Sequence, residues 1–276
     1  MFEEKIDQIF RKVSNMLRRL FTFLKKIRRQ KPKDIPVPDK KPSIYVKPVH
    51  PWRMCPGGQH YRRHTNVSAY TRTDGTEIGV HPRRGTCANN PSGKDQLYTE
   101  EMEQIAGQYF DTFKLVPLPE IPKFGKKGQF YDHFIQGWTQ YWNDVLKPNE
   151  PLDPHMIKAL IASESSFDPN AWNEKHGPGR ARGLTQVTDI TLRYLSLEKY
   201  HELKDHFLHL KEDDTLNPNF SICAGIRWLF RKKEIADSKI MGEVSWIDAV
   251  GEYKHYKTDN PHMKEFIDLY ESLKRK

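Results

Sequence analysis

Residues 156–167 read Met-Ile-Lys-Ala-Leu-Ile-Ala-Ser-Glu-Ser-Ser-Phe, and this stretch decides the fold. Its apolar residues recur at helical spacing, so Ile157, Leu160 and Ile161 share one helical face with Glu164. Burial and the helix dipole both favour the protonated form of an acid on such a face, near a helix C-terminus. A carboxyl group that keeps its proton near neutral pH can act as a general acid. The alternative is a structural Glu164 paired with a nearby Arg or Lys, and this stretch leaves both interpretations open.

Two segments favour the catalytic interpretation, one that begins at Glu164 itself and one that follows the helix. The first is E-S-S-F-D-P-N-A from residue 164, and the second, after a polar Gly-rich loop, is R-G-L-T-Q-V from residue 182. Together they resemble the lytic transglycosylases of the lysozyme-like superfamily, over about residues 153–195. In that family the Glu of the E-S pair is the sole catalytic acid and base, and the G-L-x-Q segment lines the sugar-binding cleft. The resemblance implies a catalytic Glu164 and these substrate-binding residues: Ser165, Gly183, Leu184, Gln186 and Tyr253.

Two later segments resemble the same family less closely. Residues 220–229 are similar to the family's N-I-x-x-G-x-x-Y-L helix, with Ser221 in place of Asn and Trp228 in place of Tyr. Residues 249–256 stand where the family has A-x-x-A-Y-N-x-G. There Tyr253 fits the pattern, Lys254 replaces Asn and Tyr256 replaces Gly. These departures concern sugar contacts rather than the acid.

The resemblance implies cleavage of the β-1,4 bond between N-acetylmuramic acid and N-acetylglucosamine in peptidoglycan glycan strands. The product would carry a 1,6-anhydromuramic end, and no metal or cofactor would be required. A hydrolytic lysozyme is the nearest alternative, and it would need a second acid to activate water. The candidates for this acid near the motif are Asp168, Glu174 and Asp189. Asp168 is better explained as a turn residue, and Asp189 as a residue of the first turn of a helix. A non-catalytic structural protein of a virion or secretion machine is a further alternative.

The charge of the chain is unevenly distributed. The 276 residues carry a net charge of +9, yet residues 98–276 hold 24 basic and 28 acidic residues. Residues 1–30 hold nine basic and three acidic residues. A basic arm suits an anionic partner, but no nucleic-acid motif accompanies it, so we expect no specific nucleic-acid binding. No apolar run approaches the ~20 residues that span a bilayer.

Composition divides the chain into four sections. Residues 1–30 predict a basic amphipathic helix that docks on a membrane surface or on a secretion or virion partner, or else packs on its own protein. Residues 31–51 are a Pro/Lys-rich linker, and residues 52–97 a small turn-rich Cys/His segment. Residues 98–276 predict a mainly α, lysozyme-like lytic transglycosylase domain. Because its substrate lies in the cell envelope and no signal peptide is visible, we expect delivery by a phage, a holin-like route or a dedicated secretion system.

The section from 52 to 97 contains five residues that can bind metal: Cys55, His60, His64, His81 and Cys87. Their spacing matches no common zinc motif, so zinc binding is one of three interpretations. The others are free thiols with surface histidines, and a disulfide between Cys55 and Cys87. Thr73-Asp74-Gly75-Thr76 predicts a hairpin turn.

Helical patterns fill residues 98–276. Thr99 is a candidate cap for the first helix, and an aromatic stripe over residues 130–145 is typical of a core. Asp153 with Pro154 predicts the start of the Glu164 helix. Further helices are expected around 185–196, 216–233, 245–257 and 261–274, two of them with start signals at residues 245–248 and 260–261. Cys223 lies in an apolar stretch and is expected to be a buried thiol.

Overall fold

The structure is a computed structural model of the chain. It describes residues 52–63, 65–83, 85–110, 117–173, 179–196, 202–240, 242 and 244–275. The predicted basic helix of residues 1–30 and the linker of residues 31–51 lie outside this part of the chain. In the described part, no helix combines the length and the apolar character that crossing a membrane requires.

The described part of the chain is mainly α-helical, as predicted. Its seven α-helices are α1 (Thr99–Tyr109), α2 (Asp132–Leu146), α3 (Pro154–Ser165), α4 (Asp189–Ser196), α5 (Pro218–Ile240), α6 (Trp246–Lys254) and α7 (Pro261–Lys274). Two 3₁₀ segments, Pro122–Tyr131 and Glu212–Leu216, precede α2 and α5.

Side-chain caps set the starts of three helices at the positions that the sequence predicts. Asp153 accepts a hydrogen bond from the backbone N–H of His155 at 2.9 Å, and Pro154 opens α3. Ser245 and Asn260 cap α6 and α7 in the same way. Such caps satisfy backbone donors that the helix itself cannot pair.

Three predicted boundaries differ from the structure. Thr99 is the first residue of α1 rather than its cap, which is Tyr98. The helix expected around 185–196 begins only at Asp189, because residues 187–188 pair as a strand instead. The helix expected around 216–233 continues to Ile240, because no glycine or proline lies between residues 233 and 240 to end it earlier.

The Glu164 helix, α3, runs through the interior and packs against α2 and α7. All seven residues from 156 to 162 are buried, including Lys158. The Lys158 ammonium pairs with Asp132 at 2.8 Å, so it is not a partner of Glu164. Most of the aromatic stripe is core, as expected, since Trp138 and Trp142 are fully buried on α2. Its first member, Phe130, is 71% exposed, so the stripe begins later than predicted. Cys223 is a buried free thiol, also as expected.

Six short strands form one long antiparallel hairpin. They are β1 (Gln59–Arg62), β2 (Thr65–Val67), β3 (Tyr70–Thr71), β4 (Glu77–Ile78), β5 (His81–Arg83) and β6 (Thr86–Asn89). β1 pairs with β6, β2 with β5 and β3 with β4, in one continuous register. The turn lies at the predicted position, where Gly75 has a φ of 82°.

A disulfide between Cys55 and Cys87 closes the base of this hairpin, with 5.6 Å between the two Cα atoms. This pairing overturns the interpretations of free thiols and of zinc, because a disulfide sulfur is not a thiolate ligand. His60 is buried, where its ring bonds Asn90 at 2.8 Å. His64 lies outside the described residues. Nowhere in the described ranges do three or more metal-binding side chains come together.

Strand β7 (Gln96–Tyr98) joins the hairpin segment to the helices. It pairs in parallel with β11 (Phe207–His209), just before α5. Next to it, the buried Arg53 guanidinium contacts Glu101 at 2.9 Å and also pairs with Asp95. Trp52 and Leu97 belong to the same hydrophobic core as α2 and α3. The remaining strands β8 (Trp172–Asn173), β9 (Ala181–Arg182) and β10 (Val187–Thr188) form a small sheet beside the end of α3.

Candidate active site

A cleft of about 590 Å³ lies between the end of α3, the sheet β8–β10, and helices α4 to α7. Of the residues predicted for the site, Glu164, Gln186 and Tyr253 line this cleft. Ser165, Gly183 and Leu184 do not appear in its wall. The structure thus brings three of the six predicted residues together in one cleft and leaves the other three outside its wall.

Glu164 stands at the C-terminal end of α3 with 18% of its side chain exposed. Its carboxylate forms an ion pair with Lys254, whose side chain is only 6% exposed. The Lys254 ammonium also donates to the Ser163 hydroxyl at 3.2 Å. The two sequence interpretations are thus not exclusive, because Glu164 lines the cleft and also has a lysine partner.

Gln186 lies with a left-handed φ of 50° directly after the G-L-T segment. Its side-chain amide donates to the carbonyl oxygens of Ala171 and Gly183, at 3.2 and 2.9 Å. An amide NH₂ has two hydrogens, and both are used here. The side-chain oxygen is left as the group that can accept a hydrogen bond in the cleft.

Tyr253 lies on α6, one residue before the lysine that pairs with Glu164. The resemblance implies that Tyr253 contacts the substrate, but its hydroxyl donates to the Thr185 carbonyl oxygen at 2.7 Å. Burial raises the pKa of Tyr253, and the negative charge of Glu164 raises it further. The phenol therefore stays protonated and fastens the loop before Gln186 to the helix that carries Lys254.

Ser165 holds the protein together instead of reaching the cleft. Its buried hydroxyl bonds the carbonyl oxygen of Leu184 at 2.8 Å and that of Ile161 at 3.1 Å. The prediction of substrate binding is corrected here, since the side chain connects the end of α3 to the following loop. Ser163 is the serine in the cleft wall, and the sequence pattern did not single it out.

Gly183 and Leu184 are structural as well. Gly183 has a φ of 72°, and a Cβ there would come within 2.0 Å of the Thr215 carbonyl oxygen. Leu184 is fully buried in the core. The Thr185 hydroxyl donates to the backbone carbonyl of Ser221 at 2.8 Å. These contacts hold the loop of residues 183–185 against α5 and so position Gln186 at the cleft.

Residues 143–255 match the family model of the transglycosylase SLT domain. The similarity to the transglycosylase SLT domain covers less than half of the chain. In general, domains of this family have a peptidoglycan lytic transglycosylase function, and they act in the cell envelope. The curated proteins include no match to the chain.

Two of the acids near the motif, Asp168 and Asp189, have structural partners. Asp168 accepts from the backbone N–H of Asn170 at 3.0 Å, in the predicted turn. Asp189 pairs with the buried Arg182 at the start of α4. Glu174 lies outside the described residues. Glu265 does line the cleft, from α7 beyond the matched region, but it is about half-exposed and bonds Lys123 at 3.1 Å.

Three of the four departures from the family pattern converge in the cleft wall of the SLT domain: Trp228, Lys254 and Tyr256. Trp228 stacks on Tyr194 with 5.9 Å between ring centroids. The ammonium of Lys232 lies 4.8 Å from the centroid of the Trp228 ring, and burial lowers the pKa of Lys232. The fourth departure, Ser221, lies beneath the Thr185 loop instead.

Proposed function

We propose that the chain is a lytic transglycosylase that cuts the β-1,4 bond between N-acetylmuramic acid and N-acetylglucosamine and leaves a 1,6-anhydromuramic end. The position of Glu164 carries the proposal. It is the carboxylate that ends the buried helix of the SLT domain, and it faces a cleft with aromatic walls. The partly buried site limits the water around the reacting bond, which strengthens electrostatic interactions there.

Glu164 would serve as both acid and base. As an acid it gives its proton to the glycosidic oxygen, so that the bond to the muramic C1 breaks and the leaving sugar departs as an alcohol. The N-acetyl group of the muramic residue stabilises the positive charge that develops at C1. The Glu164 carboxylate then takes the proton of the C6 hydroxyl, whose oxygen closes the ring onto C1. The cycle returns Glu164 to its acid form and consumes no water.

Gln186 would recognise the N-acetyl group by accepting a hydrogen bond at its side-chain oxygen. Both of its amide hydrogens are given to backbone carbonyls, so it can accept from a sugar N–H but has no hydrogen left to donate. Tyr253 would act indirectly, by holding the Thr185 carbonyl and with it the loop that ends at Gln186.

Lys254 opposes this chemistry in the resting cleft. Its ammonium contacts the Glu164 carboxyl group, which has to reach the glycosidic oxygen in the first step. A positive charge beside the site also disfavours the oxocarbenium-like transition state. Substrate binding would therefore have to separate the two side chains before the proton is transferred.

We expect Lys254→Asn, which restores the residue usual in the family, to raise the initial rate of peptidoglycan cleavage. The gain should be on the order of threefold to tenfold, because the variant removes a positive charge beside the centre where positive charge develops in the transition state. The rate is measured as release of soluble fragments from purified peptidoglycan. Lys257→Asn removes the same charge from an exposed position outside the cleft wall and is the matched control. A slower Lys254→Asn enzyme would mean that the lysine assists the reaction.

Hydrolysis is the competing function, and Glu265 is the observation that favours it. A second carboxylate in the cleft wall could activate water in place of the C6 hydroxyl. Mass spectrometry of the released fragments separates the two, since an anhydro end is lighter than a hydrolysed end by one water. We expect anhydro ends from the wild type and from Glu265→Gln alike. Hydrolysed ends from the wild type would reject the proposal, and their loss in Glu265→Gln would identify the second acid.

A further inference from the structure

A second cavity, of about 770 Å³, lies on the opposite side of α5 from the cleft. The end of α2, the turn at residues 204–205 and the start of α6 complete its wall. On α5 it is lined by Arg227, Arg231 and Glu234, which share one helical face at spacings of four and three residues. Trp228 and Lys232 face the catalytic cleft from the other side of the helix. The cavity is therefore separate from the proposed active site.

Arg227 is a buried cation whose direct hydrogen-bond partners are neutral. Only 1% of the residue is exposed. Its Nε donates to the backbone carbonyl of His206 at 3.2 Å and its Nη2 to that of Asp205 at 3.1 Å. The third nitrogen, Nη1, is buried and has no hydrogen-bond partner. Burial lowers the pKa of Arg227 to about 10, a direct sign of the cost of holding this charge away from water.

The charges around Arg227 leave an excess of cations. Glu234 and Glu202 both pair with Arg231, at 2.9 and 3.4 Å, and Asp237 pairs with Lys233 at 3.4 Å. With Asp205 in the wall, four carboxylates face five cations, so one positive charge remains unbalanced. Arg231 has a buried Nε that also lacks a hydrogen-bond partner. Two exposed lysines, Lys147 and Lys204, stand in the same wall. Two buried guanidinium donors without partners, next to two exposed ammonium groups, form a set that a small anion would complete.

We infer that this cavity binds one oxyanion group, a carboxylate or a phosphate, at Arg227 and Arg231. Guanidinium donors match the oxygen spacing of both groups, and hydrogen bonds between charged partners are the strong ones. The anion would satisfy the two orphaned nitrogens and supply the missing countercharge. Lys147 and Lys204 would draw the anion to the cavity mouth and neutralise its remaining charge.

Isothermal titration of the full chain with inorganic phosphate, and separately with acetate, tests the inference at constant ionic strength set by chloride. We expect saturable one-to-one binding in the millimolar range for at least one probe. The stronger probe identifies the class, either a phosphate or a carboxylate. Absence of saturable binding with both probes would overturn the inference.

Variants place the binding in this cavity. Arg227→Gln is the obvious change, but it removes the donors of two backbone carbonyls from a buried side chain and can unfold the chain. The exposed pair Lys147→Ala with Lys204→Ala avoids this difficulty and should weaken binding at least about fivefold. Lys126→Ala, an exposed lysine outside both cavities, is the control and should leave the affinity unchanged. Equal affinity in the double variant and the wild type, or equal weakening by the control, would reject this location.

Discussion

Glu164→Gln is expected to lower the rate of peptidoglycan cleavage at least about 100-fold, because proton transfer by one positioned group commonly contributes that much. Glutamine keeps the size and one acceptor oxygen of the side chain but can neither give nor take the proton. Release of soluble fragments from purified peptidoglycan measures the effect. Asp168→Asn removes a carboxylate four residues away, in the exposed turn, and should keep the wild-type rate.

The ion pair requires a second control. Glu164→Gln leaves the nearly buried Lys254 ammonium with the Ser163 hydroxyl as its remaining partner, and an unpaired buried charge destabilises a fold. The double variant Glu164→Gln with Lys254→Asn removes both charges, so it should regain stability yet stay inactive. Cleavage by Glu164→Gln at half the wild-type rate or more would remove Glu164 from the mechanism. A wild type that cuts nothing would instead support the non-catalytic structural protein.

Gly183→Ala is expected to lower the free energy of unfolding by more than about 3 kcal/mol and to reduce cleavage with it. The added methyl group would meet a backbone oxygen, that of Thr215, which cannot rotate away as a side chain can. The φ of 72° adds strain for any residue with a Cβ. Because Gly183 also accepts the Gln186 amide, its displacement would carry the Gln186 side chain out of position. Urea unfolding followed by tryptophan fluorescence measures the loss.

Gly75→Ala is the matched control for this variant. Gly75 has a similar φ of 82°, but a Cβ there would meet nothing within 4 Å. It should cost only about 1 kcal/mol, the strain of the left-handed backbone, and leave cleavage unchanged. Equal losses in the two variants would show that backbone strain, and not the contact with Thr215, makes glycine necessary at position 183.

Local signals in the sequence predicted the elements that depend on neighbouring residues. Caps at Asp153, Ser245 and Asn260 start helices where expected, because capping involves residues only two or three positions apart. The hairpin turn at Gly75 and the helix that presents Glu164 follow from the same kind of short-range chemistry. The family resemblance added the cleft, which no periodicity alone would have indicated.

Contacts between distant residues could not be predicted in this way. Lys254 pairs with Glu164 although the two residues are 90 positions apart. The sequence marked Lys254 only as a departure from the family pattern. Glu265 enters the cleft from a helix beyond the matched region. Ser165 looked like a substrate contact beside the acid, but its direction is set by the Leu184 carbonyl. Each of these depends on how helices pack, and that information is spread over the whole chain.

The parallel pairing of β7 with β11 has a practical consequence for truncated forms of the protein. A chain cut to the matched residues 143–255 would lose β7, α1 and most of α2, and with them Trp138 and Trp142 of the core. It would also leave β11 with an open edge, a template on which strands of other molecules can assemble. Such a fragment should aggregate when expressed alone, so a shortened form should keep the chain from Trp52 onward, where the described core begins.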